Sequence, residues 1–276
     1  MAPTAAPVLF DRALLARRLT RAKKLGPATF LLDRVNEDMA DRLAAVNREF
    51  ADAADIWTPG EGISLPGLNV RHVDIGSGDE TLPFAPASLA LVVSALALQS
   101  VNDLPGVLAQ IRRALKPDGL LLAALVGGDS LTELRQSFAA AEAECEGGVS
   151  PRVVPFADLR DIGGLLQRAG LALPVTDVDR VVVRYDNAFA LMNDLRRMGA
   201  TNVLLERRRK PTRPATMMRM AQIYSTRFAD PDGRIRATFD IVWLSAWAPH
   251  ESQPKPLRPG SATASLEEAV KRGTKR

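Results

Sequence analysis

The chain has 276 residues, of which 46% are hydrophobic and 25% charged. These fractions are ordinary for a soluble globular protein and exclude a disordered, fibrous or coiled-coil chain. The formal net charge is only +4, and the longest uncharged apolar run, Ser88 to Leu98, is too short to cross a bilayer.

A single cysteine, Cys145, rules out an internal disulfide framework and a multi-thiolate metal site, and implies a reducing compartment. Cys145 itself reads as inert, late in an Ala-rich helix. The two histidines, His72 and His250, are too few for a three-histidine metal site. Positive charge is bunched at Arg17-Arg18, Arg21 and Lys23-Lys24, at Arg207 to Lys210 with Arg213, and at Lys271-Arg272 with Lys275-Arg276. Aromatics are 5% of the chain and none interleaves these runs, so they read as solvated faces and tails rather than a nucleic-acid surface. Met1 to Leu9 lacks the basic and apolar regions of a secretory signal.

In chain order, residues 10–24 read as a short basic helix. A second helix is expected from Thr29 to Phe50, with Leu31, Leu32, Val35, Met39, Leu43 and Val46 at helical spacing. Thr29 is its candidate cap, and Gly26-Pro27 separates the two. Strands are expected at Ala54 to Trp57 and Val70 to Ile75. Ser88 to Val93 is continuously apolar, as a strand covered on both faces should be. Asp103 to Leu115 has one apolar helical face and is stopped by Lys116-Pro117-Asp118-Gly119. Leu120 to Val126 is a further buried strand, and Asp129 is the candidate cap of a helix over Ser130 to Glu144. After a helix at Asp158 to Ala169 come a strand from Leu171 to Arg184, helices at 188–198 and 215–228, and a strand from Arg234 to Trp247. Strands alternating with helices predict an α/β doubly wound sheet, with the last two strands forming an antiparallel hairpin at one edge. The expected divisions are an N-terminal helical region over 1–50, an α/β domain over 51–250 with a helical insert at about 185–230, and a loose basic tail over 251–276.

Three stretches carry a resemblance. They are Asp79-Glu80-Thr81-Leu82-Pro83-Phe84, Leu91-Val92-Val93-Ser94, and Leu115-Lys116-Pro117-Asp118-Gly119-Leu120. Together they resemble the middle of a class I S-adenosylmethionine-dependent methyltransferase, a Rossmann-like fold. The resemblance implies that Asp79 and Glu80 lie by the adenine ring and that the strand ending at Ser94 lines the sulfonium side. A narrower resemblance spans nearly the whole chain. Its pieces are Phe10-Asp11-Arg12, Val101 to Pro105, Gly127 to Arg135, Glu146 to Pro151, Met198 to Asn202, and His250-Glu251-Ser252-Gln253 with Gly260-Ser261-Ala262. They resemble the complex I assembly factor 5 family and the malonyl-carrier-protein methyltransferases grouped with it. The mitochondrial relatives are understood to hydroxylate a protein arginine. The resemblance therefore implies S-adenosylmethionine as cofactor, a protein partner such as a respiratory complex I subunit, and either a bacterial cytoplasm or a mitochondrial matrix as location.

The departures are equally specific. The Gly-rich loop expected after the first strand reads Trp57-Thr58-Pro59-Gly60-Glu61-Gly62, with Asp55 as the acid closing that strand. Gly60 and Gly62 form either a degenerate cofactor loop or an ordinary turn. Only 16 residues lie between Gly62 and Asp79, too few for a helix and two strands. Asp74 is an alternative ribose acid. Where many relatives carry His-Trp, this chain has Gln99-Ser100. Asp129, besides capping, can lie at the pocket rim and pair with a substrate guanidinium or amine. His250 and Glu251 are the most catalytic-looking pair, read either as a general acid/base or a weak iron site with His72, or as the polar end of the last strand. Tyr185 can help hold a substrate, although it and Trp243 read more simply as packing groups. No metal site is expected. Methyl transfer, arginine hydroxylation and a non-catalytic assembly role stay open.

Overall fold

The computed structural model describes residues 8–65, 67–76 and 78–254. Most of the expected 251–276 tail, including Gly260-Ser261-Ala262, lies outside them.

Two helices, α1 (Arg12–Lys24) and α2 (Phe30–Ala44), precede the first strand. The strands are β1 (Ala53–Ile56), β2 (Val70–Val73), β3 (Leu89–Ala95), β4 (Leu115–Gly127), β5 (Ala172–Tyr185) and β6 (Ile235–Trp247). Between them lie α3 (Leu104–Ala114), α4 (Thr132–Glu146), α5 (Leu159–Arg168), α6 (Ala188–Arg197) and α7 (Pro214–Phe228). One sheet runs in the order β2-β1-β3-β4-β6-β5. β1 to β4 are mutually parallel, and β6 is antiparallel to both β4 and β5. This is the α/β doubly wound sheet that the alternating pattern predicts, with the antiparallel hairpin at one edge, and it agrees with the class I methyltransferase fold that the motif resemblance implies.

The sheet is covered on both faces. Leu91, Val93, Leu122, Ala124, Ile241 and Trp243 pack with residues of α2, α4, α6 and α7. Val92, Leu121, Ala123, Val242 and Leu244 pack with Val107, Leu108 and Ile111 of α3 and Ile162 and Leu166 of α5. β3 and β4 are buried from both sides, which is why their sequences are continuously apolar rather than alternating.

Among the described residues, the connection from β1 to β2 contains no helix. Leu31, Val35 and Met39 of α2 join Ala53, Leu91 and Val93 in one buried cluster, so α2 covers this part of the sheet. Apolar positions at i, i+4 and i+8 place one stripe of α2 inward.

Two expected caps differ. Thr29 precedes α2, but its hydroxyl donates to Asp33 Oδ2 at 2.7 Å rather than accepting a backbone bond. The residue capping α4 is Leu131 at φ +54°, not Asp129. The Asp129 N–H donates to Asp240 Oδ2 at 2.9 Å, and the Leu131 N–H to the Thr238 carbonyl at 2.8 Å. These bonds tie the segment to β6 before the helix starts. Helix α2 also stops at Ala44, short of the expected Phe50.

Candidate functional site

The carboxyl ends of β1, β2, β3 and β4 open into a cavity of about 1010 Å³. Ligands of open parallel sheets bind at such ends, and the volume is at the upper end of small-molecule sites. Its floor is Trp57 to Gly62 after β1, Asp74 to Gly76 after β2, Leu96, Ala97, Gln99 and Ser100 after β3, Val126 near the end of β4 and Leu131 after it. α1 and α2 supply one wall, including Leu15, Leu19, Leu32 and Asn36. The other wall is built by residues 151–156, the end of α6, and residues 198–208.

The loop after β1 is held from beneath. Asp55 is fully buried, and its carboxylate accepts hydrogen bonds from the Thr58 hydroxyl, the Ile63 N–H and His72 Nδ1, the last two at 2.9 and 2.8 Å. A buried carboxylate is tolerable only when so satisfied. The Thr58 hydroxyl also accepts from the Ala95 N–H at 2.8 Å, fixing the loop between β1 and β3. Gly62, at φ +80°, lies against the Asp55–His72 pair. Gly60, at φ +85°, has nothing within 4 Å of where a Cβ would be. Asp55 therefore works inward, while Gly60 and Gly62 present backbone to the cavity.

The other sequence-selected residues divide by position. Asp74 is exposed on the cavity floor, and its Oδ1 accepts from the Ile75 N–H at 2.6 Å. Asp79 and Glu80 are not on the wall. The Asp79 carboxylate accepts from the Thr81 N–H at 3.0 Å, and that bond holds it below the usual carboxyl range. Glu80 accepts from the Asn102 and Asp103 N–H groups at 2.7 and 2.9 Å. Ser94 is fully buried, and its hydroxyl donates to the Ile56 carbonyl at 2.7 Å. Tyr185 is packed in the core with Ala188 and Leu191. Burial pushes its hydroxyl pKa up.

Asp129 lies beyond β4, outside the cavity wall, within 3.2 Å of Arg180. Arg180 also grips Asp240 in a two-pronged pair at 2.7 and 2.9 Å. Burial alone would raise the Asp240 carboxyl pKa. The Arg180 bonds and the Asp129 N–H more than offset it, leaving Asp240 below its ordinary value.

His250 and Glu251 sit at the other end of the sheet. Trp247 pairs with Leu120, whereas the cavity begins at Val126. Six residues of strand at about 3.3 Å each separate those levels by about 20 Å. His250 Nδ1 is 2.7 Å from the Ser252 hydroxyl, and His72 is bound to Asp55, so the two histidines do not meet. Among the described residues, no group of three His, Cys, Asp or Glu side chains is placed to hold a metal ion.

Pattern reading missed two polar atoms. Asn36 Oδ1 and Gln99 Oε1 belong to residues lining the cavity, and both are buried with no hydrogen-bond partner among the described residues. The Gln99-Ser100 departure pointed to the second; nothing in the sequence singled out Asn36.

A methyltransferase-domain family model matches residues 36–123. Over almost the full length, the chain is 35% identical to the mitochondrial arginine hydroxylase NDUFAF5 of Danio rerio, covering 96% of this chain and 90% of the relative. It is 37% identical to the mouse protein of that name, covering 95% and 84%. The chain belongs to the NDUFAF5 family. A malonyl-[acyl-carrier protein] O-methyltransferase of Xylella fastidiosa is 41% identical over 61% of this chain and 55% of the relative. The alignment with the Danio rerio relative spans both walls of the cavity, while the methyltransferase-domain match covers α2 from Asn36 onward and the floor as far as β4. Among the described residues, no helix is long and apolar enough to cross a membrane.

Proposed function

We propose that this member of the methyltransferase-like family binds S-adenosylmethionine in the cavity at the strand ends and acts on a protein substrate there. The open space beside Gly60 carries the reading, because a cofactor needs close approach to backbone at this loop. The residues present suit such a molecule. The Asp74 carboxylate, at the end of β2, is available to ribose hydroxyls. Asn36 Oδ1 and Gln99 Oε1 are unpaired acceptors for an ammonium or amide-type donor. Bound there, the cofactor would supply an electrophilic sulfonium methyl. Asp55, Glu80 and Ser94 support the floor rather than touch the ligand. No side chain is assigned as a general base, so the protein's contribution would be orientation and exclusion of water.

A second reading, arginine hydroxylation of a protein substrate, is favoured by one observation. The relatives of that name match both walls of the cavity, whereas the carrier-protein methyltransferase matches only part of the chain. By the same kinship we infer that the partner is a respiratory complex I subunit, met in the bacterial cytoplasm or the mitochondrial matrix. A non-catalytic assembly role would be compatible with the short β1–β2 connection.

Calorimetry with S-adenosylmethionine and S-adenosylhomocysteine tests the first reading. Saturable binding that Asp74→Asn weakens about tenfold, or about 1.4 kcal/mol, supports it. A flat response at millimolar ligand overturns it. Recovery of a complex I subunit with the protein, followed by mass analysis of its arginines, separates the two chemistries: a gain of one methylene indicates methylation, and a gain of one oxygen indicates hydroxylation.

A further inference from the structure

The first residue of α1 reaches into the floor of the cavity from outside it. Arg12 is 5% exposed. Its Nε lies 3.4 Å from Glu80 Oε1 and 3.5 Å from the Gly78 carbonyl, and its Nη1 lies 3.5 Å from the Ser100 carbonyl. Its guanidinium carbon is 4.5 Å from the centroid of the Trp57 ring. Trp57 follows β1, Gly78 and Glu80 follow β2, and Ser100 follows β3. One side chain thus joins the segments leaving three adjacent parallel strands. Two of those partners, Trp57 and Ser100, line the cavity, while Arg12 does not.

The site is shaped for this residue. A Cβ on Gly78 would lie 2.7 Å from Arg12 Cβ, so only glycine lets α1 dock so closely. Trp57 sits at φ +62°, a conformation that a bulky side chain adopts only when its surroundings impose it. The Arg12 guanidinium lies over its ring. Packing alone does not explain an arginine here. Burying a guanidinium is costly, an apolar side chain would fill the volume more cheaply, and Nη2 has no hydrogen-bond partner among the described residues. What an apolar side chain could not supply is simultaneous attraction to two carbonyls, a carboxylate and a ring face.

We propose that Arg12 is a positioning residue of the ligand cavity, holding Trp57 and the segments after β1, β2 and β3 in the arrangement that receives the ligand. The N-terminal helix is then part of the binding apparatus, although it precedes the whole α/β unit. The proposal rests on the reading that the cavity binds an adenosyl ligand, and its test separates the two failures.

The measurements use the full chain with Arg12→Met, Arg12→Lys and Glu80→Gln. Amide hydrogen exchange is followed in residues 57–62, 78–82 and 98–103, and S-adenosylhomocysteine affinity is followed by calorimetry. Arg12→Met should speed exchange in all three segments together and weaken affinity about tenfold, with a modest fall in melting temperature. Arg12→Lys should recover the melting temperature more than the affinity, because it keeps the charge but not the planar fork. Unchanged exchange in the three segments, or affinity equal to wild type in a folded Arg12→Met variant, overturns the proposal. If the wild type itself does not bind the probe, the cavity reading fails and hydrogen exchange alone decides the role of Arg12. If Arg12→Met does not fold, Arg12→Lys and Glu80→Gln carry the same two measurements.

Discussion

A Cβ on Gly62 would lie 2.6 Å from His72 Nδ1 and 2.7 Å from Asp55 Oδ2. The glycine and the histidine are therefore fitted to one another across the β1–β2 pair, and the buried Asp55 carboxylate accepts from His72 Nδ1 and from the N–H of Ile63, the residue after the glycine. Gly62→Ala meets both a clash and a left-handed φ, and should cost about 2–4 kcal/mol. Gly60→Ala meets only the φ penalty, about 1–2 kcal/mol. Denaturant melts of the two variants should show that order. His72→Ala placed on Gly62→Ala should recover part of the loss, a coupling that a double-mutant cycle measures. Equal destabilisation by the two alanines would contradict the geometry.

Ser94 lies on the strand that was expected to line the sulfonium side, but its hydroxyl is committed to the Ile56 carbonyl. Ser94→Ala should lower stability by about 1 kcal/mol and leave S-adenosylhomocysteine affinity unchanged. A large loss of affinity at unchanged melting temperature would mean that Ser94 touches the ligand.

Glu142 is buried on α4, where it accepts from the Ser150 N–H and hydroxyl and pairs with Arg152. Burial raises its pKa, and these partners more than offset that, leaving the carboxyl below its ordinary value. A carboxyl depressed in the folded state stabilises above its unfolded pKa, about 4.3, and loses that stabilisation as pH falls further. The wild type should therefore lose melting temperature from about pH 5 downward more steeply than Glu142→Gln. The variant itself should be about 3 kcal/mol less stable at neutral pH, because Arg152 loses its buried counter-charge. Parallel pH profiles for the two proteins would refute the assignment.

His250→Ala and Glu251→Gln change groups at the far end of the sheet. Neither should alter ligand affinity or the melting-temperature gain on ligand addition. A loss of binding in either variant would show that the C-terminal segment reaches the cavity, contrary to the strand register.

The layered architecture was legible because its signals are local. Ser88 to Val93 and Leu120 to Val126 read as strands from largely apolar, uncharged sequence, the first of them found at Leu89–Ala95, and α3 from one apolar stripe ended by Lys116-Pro117-Asp118-Gly119. In the structure β4 begins five residues earlier than that apolar run, at Leu115. The Asp55 to Gly62 loop was legible as a departure from a motif. Its support was not, since His72 lies on another strand and the Ala95 N–H on a third. Glu80 shows the same limit. Its acidic pattern suggested a base-binding group, yet its partners Asn102 and Asp103 lie 22 and 23 residues away.

By itself, the sequence determined what residue-to-residue spacing can encode: the periodic elements, their alternation, the edge hairpin and the resemblance to a family. Tertiary structure alone decided which polar groups remain free to meet a ligand. A carboxylate has the same chemistry wherever it falls in the chain, but its use depends on neighbours brought together by folding. Those neighbours turn Asp55 and Glu80 inward and leave Asp74 exposed. The antiparallel course of β6 likewise carries His250 away from the strand ends where the cavity opens.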